Sequence, residues 1–124
     1  MQKATLIARL LLGLVFFVFG LNGFFMFIQP PPPAPAAGEF MSAMIQTGYF
    51  LPVVKLVEVL CGAALLSGVY VPLALVVLAP IVVNIVLFHA FLDPSGLVMG
   101  ILCLVLLVFL AWQQRDRYQG LFSR

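Results

Sequence analysis

Lys55 and Glu58 stand three residues apart inside a segment apolar enough to cross a membrane. A charge placed in hydrocarbon costs roughly 2.5–3.5 kcal/mol on insertion scales, so such residues are rare there and are functional candidates by default. On a helix, residues three apart share a face, so this ammonium and carboxylate can neutralise each other. The same pair can also relay a proton or bind the polar head atoms of an otherwise apolar ligand. Asn84 and His89 in the next apolar stretch, and Asn22 in the first, complete the candidate polar intramembrane site. No nucleophile–base arrangement, phosphate-binding loop or metal box is present, and no metal is expected. Cys61 and Cys103 form no C-x-x-C and read as small buried packing residues. The residues leave open whether the chain is an enzyme.

The elements that position these residues follow from composition. Hydrophobic residues make up 65% of the 124 and charged residues 8%, and mean hydropathy is +1.23. Soluble domains are roughly 45–50% apolar and about 25% charged, so lipid must solvate much of this chain. A net charge of +2, dispersed along the chain, excludes a nucleic-acid-binding role.

Punctuation along the chain divides it into four spans within a single domain, residues 1–124. The first covers about 4–28. Its apolar run from Leu10 to Ile28 exceeds the roughly 7–15 residues of a signal-peptide core, so a retained transmembrane helix is expected. Pro30 to Pro33 stop it. Phe40, Met41, Met44 and Ile45 have helical spacing among polar neighbours, which predicts a short amphipathic helix over about 38–47, capped by Gly48. It lies in the interface or folds back over the bundle. The apolar run from Phe50 to Leu92 would extend about 64 Å as one helix, twice the bilayer core. It is therefore two spans, about 50–67 and 71–92, parted by Ser67-Gly68 and Pro72. Pro80 is expected to kink the later one. Asp93-Pro94-Ser95-Gly96 makes the last turn before a span over about 95–113. The fold class is all-α: a polytopic four-helix transmembrane bundle with a short interfacial helix between spans one and two.

Lys3, Arg9, Arg115, Arg117 and Arg124 gather near the termini, whereas the loops after spans one and three carry only Glu39 and Asp93. The positive-inside rule then puts both termini in the cytoplasm. On this topology Asn22, Lys55, Glu58, Asn84 and His89 fall in the outer half of the membrane, where convergence on the bundle interior would satisfy them. Asn84 and His89 are about 140° apart around their helix; His89 aligns with Asp93 towards the outer mouth while Asn84 is expected to face the core. Gly13 and Gly20, a heptad apart, and the G-x-x-x-G pair Gly96 and Gly100 mark faces for close helix packing.

Phe19-Gly20-Leu21-Asn22-Gly23-Phe24, Gly48-Tyr49-Phe50, Val54-Lys55-Leu56-Val57-Glu58, Val71-Pro72-Leu73-Ala74-Leu75, the stretch Ala79 to Ile85, Phe88-His89 and Ala111-Trp112 together resemble the DoxX-like family of small bacterial membrane proteins. The resemblance covers nearly the whole chain. It implies a four-helix bundle in the bacterial cytoplasmic membrane, and some members are associated with redox systems, including a small subunit of thiosulfate:quinone oxidoreductase. Glu58 matches the family's glutamate in span two. The chain departs from the family where Val71-Pro72 replaces a Thr-Arg pair and where Asn22-Gly23 stands in place of a lysine, which puts in doubt any activity tied to those cations.

Two functions compete. In the first, the charged pair fixes helix register in a non-catalytic or accessory subunit, whose partner is another membrane protein or a second copy. In the second, Lys55, Glu58, Asn84 and His89 bind a quinone or relay protons in a membrane redox system. A transporter or pore fits less well, since no polar stripe runs through the inner half of the bilayer.

Overall fold

In the computed structural model, residues 2–25 and 34–122 are described, with the backbone alone for Gln2 and Phe122. The expected end of span one at 26–28 and the proline run 30–33 lie outside the described residues. The fold is all-α: α1 Gln2–Phe25, α2 Pro35–Gln46, α3 Phe50–Ser67, α4 Val71–Phe91 and α5 Leu97–Gln113. A 3-10 turn over Pro94–Gly96 precedes α5, and a 3-10 helix over Arg115–Phe122 follows it. α1, α3, α4 and α5 with its preceding turn are each long and apolar enough to cross a membrane. Only 22–28% of each span's most apolar stretch is buried inside the bundle. Most of the apolar surface therefore faces outward, which only lipid or another apolar partner accommodates.

Helix ends follow local chemistry. α2 begins at Pro35, earlier than expected, because proline's fixed φ and missing N–H suit the first helical position. Its end is closed by Thr47, whose hydroxyl donates to the Met44 carbonyl (2.7 Å) and accepts from the Phe50 N–H (3.1 Å), tying α2 to α3. Gly48 and Gly68 both adopt φ +79°, the left-handed conformation that ends helices at little cost only for glycine. Tyr70 adopts the same region at φ 56°, at a cost of roughly 1–2 kcal/mol for a residue with a side chain. α4 continues through Pro80.

The spans form a ring in which α1 packs against α3, α3 against α4, α4 against α5, and α5 against α1. Its core contains Leu12, Phe16, Leu65, Leu75, Leu78, Val82, Leu107 and Leu110. The α1–α3 seam is glycine-mediated. A Cβ on Gly62 would lie 2.5 Å from the Phe17 nitrogen; one on Gly20 would lie 2.9 Å from the Val59 nitrogen; one on Gly13 would lie 3.0 Å from the Leu66 nitrogen. The two backbones run antiparallel in near contact, an approach that small residues alone permit. α2 rests across the far end of the bundle, with Ala37 fully buried and the Phe40 ring 5.6 Å from that of Phe88.

Candidate functional site

The α1–α3 seam holds the charged pair. Lys55 Nζ donates to Glu58 Oε1 at 3.2 Å, with the lysine side chain 24% exposed and the glutamate 6%. The lysine stem occupies the space that a side chain on Gly23 would need. Val59, Cys61 and Gly62 continue on α3, and Cys61 is buried with Glu58. Across the ring on α5, Cys103 is buried within electrostatic reach of Glu58. Both cysteines are free thiols. Within the pair the ammonium compensates the carboxylate, and the stem of Lys55 carries the cationic head towards the surface.

The remaining sequence-predicted residues divide. Asn22, adjacent to Gly23, is half-buried on α1. Asn84 does not face the core as expected; it is exposed on the outside of α4, and among the described residues no hydrogen bond holds its amide. α4 is apolar on every side, so its sequence carries no signal of which face turns inward. The inward face is set instead by Ala74, Leu75, Leu78 and Val82. His89 lies in the last turn of α4. Its Nδ1 lies 3.1 Å from the Asp93 main-chain oxygen, its ring meets Phe88 edge-on at 5.1 Å, and it fills the space that a side chain on Gly96 would take. The Asp93 carboxylate itself accepts from the Ser95 hydroxyl at 2.6 Å. Gly96 thus makes room for an imidazole, and Gly100 sits at ordinary contact distance from Ile85 and Val86 of α4. The five candidates therefore do not all converge: Lys55 and Glu58 pair inside, Asn22 is half-buried on α1 beside Gly23, His89 bonds back to the turn after α4, and Asn84 points outward.

Two cavities flank these positions. One of about 180 Å³ is lined by Gly23, Phe24, Ile45, Gly48, Leu51 and Pro52 at the α2 end of the bundle. The other, about 720 Å³, opens at the opposite end, where the start of α1, the α3–α4 turn and the end of α5 meet. It is lined by residues that include Arg9, Tyr70, Gln113, Gln114 and Arg117. Over it the Tyr118 hydroxyl donates to the Pro72 carbonyl at 2.9 Å, pinning the C-terminal 3-10 helix to the α3–α4 turn. Sequence reasoning missed Tyr118 and this cleft, and only the unusual position of Arg9 within span one hinted at them. Among the described residues no group of three His, Cys, Asp or Glu side chains could hold a metal.

A family model, DoxX, matches residues 4–90. No curated protein and no solved structure matches the chain.

Proposed function

Since the chain belongs to the DoxX family and is a multi-pass membrane protein with four spans, we propose that it serves as a non-catalytic accessory subunit of a membrane assembly. The observation that carries this reading is Asn84. Its amide lies on the outer face of α4, about 10 Å from the end of the helix, where a membrane would surround it with hydrocarbon. An amide there gains by hydrogen bonding to a neighbouring transmembrane helix, and among the described residues of this chain it has no such partner. The internal Lys55–Glu58 pair has the place of a register lock rather than of a reacting group. We place the protein in the bacterial cytoplasmic membrane with both termini cytoplasmic, in line with the clustering of basic residues at that end.

The test is the Asn84→Leu variant, sized in mild detergent and by fluorescence energy transfer in liposomes. An interhelical hydrogen bond in lipid is worth about 0.6–2 kcal/mol, so association should weaken roughly 3- to 30-fold while the monomer stays folded. Unchanged association of Asn84→Leu would sink the reading.

A second reading, quinone contact at Lys55, draws on Gly23, which borders both the lysine stem and the small apolar cavity. That cavity's 180 Å³ falls below the roughly 300–1,000 Å³ of small-molecule pockets, which ranks this reading second. A variant such as Glu58→Gln that assembles normally yet loses a quinone-dependent activity would reverse the order.

A further inference from the structure

We infer that the 720 Å³ cleft at the basic end of the bundle is a binding site for a phosphate group, the headgroup of an anionic phospholipid or a soluble phosphate ester. Three segments distant in sequence build it: Thr5, Leu6 and Arg9 of α1, Gly68 and Tyr70 of the α3–α4 turn with Val71 and Pro72 at the start of α4, and Gln113, Gln114 and Arg117 at and after the end of α5. Among the described residues two guanidinium groups enter this wall and no carboxylate does. Among the described residues the only ion pair is Lys55–Glu58, so none of them neutralises either arginine. Guanidinium groups bind phosphate oxygens through paired, charge-assisted hydrogen bonds, and the Gln113 and Gln114 amides add neutral donors.

The cleft is built rather than incidental. Arg9 is half-buried, and its guanidinium occupies the space that a side chain on Gly68 would fill. Tyr70 is held in the left-handed region at the rim. Tyr118 fixes the helix that carries Arg117 by its bond to Pro72. Arg115, by contrast, is turned away onto Trp112, 4.6 Å from the ring centroid, with Nη1 donating to the Trp112 carbonyl. Basic pockets between spans at a membrane surface recognise anionic headgroups, and Leu6 and Val71 in the wall suit the glycerol and upper acyl region of a lipid. This inference stands independently of the assembly reading.

The experiment is native mass spectrometry of the full chain released from nanodiscs of equal phosphatidylglycerol and phosphatidylcholine. The protein should retain phosphatidylglycerol preferentially. Each arginine near an anionic lipid contributes about a fivefold preference, so Arg9→Gln with Arg117→Gln should lower it about 25-fold, and Arg117→Gln alone about fivefold. Arg9→Lys with Arg117→Lys should keep most of it. Lys3→Gln with Arg115→Gln removes the same charge outside the cleft and should leave retention unchanged. No preference in the wild type, or an equal loss in that control pair, overturns the site. Displacement of the lipid by millimolar inorganic phosphate assigns the cleft to a soluble phosphate ester, and persistence of the lipid assigns it to the headgroup. Should Arg9→Gln fail to fold, the exposed Arg117 variant decides alone.

Discussion

Replacing Gly62 by alanine tests the α1–α3 seam directly. The added Cβ would lie 2.5 Å from the Phe17 nitrogen, 2.8 Å from its Cα and 2.9 Å from the Gly13 oxygen. All three are backbone atoms, so no rotamer change relieves the contact. Restoring the 3.4 Å of an ordinary contact requires the helices to part by about 0.9 Å. A gap of that size forfeits a quarter to a half of each dispersion contact across it, and a buried leucine's roughly 50 contacts of about 0.15 kcal/mol each then lose about 2–4 kcal/mol. Alanine's better helix propensity returns about 1 kcal/mol. The expected net loss is about 1–3 kcal/mol, read from unfolding of the protein in mixed micelles by SDS titration. Gly20→Ala and Gly13→Ala meet backbone at 2.9 and 3.0 Å and should cost less, in that order. Gly100→Ala meets nothing nearer than 3.5 Å and should be neutral or mildly stabilising. If Gly62→Ala proved as stable as Gly100→Ala, the seam would not be a close backbone contact and the reasoning would fail.

The Lys55–Glu58 pair predicts a non-additive cycle. Lys55→Met should cost about 3 kcal/mol or more because it strands the buried carboxylate, and Glu58→Gln should cost somewhat less because the ammonium it leaves reaches towards the surface. The double variant should recover to within about 1 kcal/mol of wild type, and additive losses in the same SDS titration would show that the two groups do not compensate each other. Tyr118→Phe removes the bond to Pro72, should cost about 1 kcal/mol, and should expose the C-terminal 3-10 helix to proteolysis; equal cleavage rates would contradict the clasp. Burial pushes the Tyr118 phenol up from its ordinary value near 10. The clasp's stability is therefore full below about pH 10 and declines as pH rises through the folded value. Tyr118→Phe should abolish that alkaline dependence.

The spans were legible because each boundary carries a residue that helices do not tolerate inside: the Gly68 turn, the Asp93-Pro94 turn and Gly48. The pairing of Lys55 with Glu58 was legible from spacing alone, since three residues on a helix fix a common face. The orientation of Asn84 was not. In a span apolar on all sides, the inward face is chosen by packing against α3 and α5, which local sequence does not encode. α2 starts at Pro35, a residue suited to the first helical position, and its added first turn buries Ala37, a contribution invisible to a pattern built from Phe40, Met41, Met44 and Ile45. The arginine cleft required three segments to meet at one end of the bundle, a property of tertiary arrangement that no single window carries.

The closure of the ring between α1 and α5 sets a condition on biosynthesis. The first span to leave the ribosome must wait for the last to complete its surroundings. Until α5 is inserted, α1 and α4 border an open flank, and Glu58 faces lipid where the helix bearing Cys103 will later stand. A chain halted after α4 would therefore display a carboxylate in an unfinished bundle, a feature that membrane quality-control proteases could use to distinguish incomplete chains from finished ones.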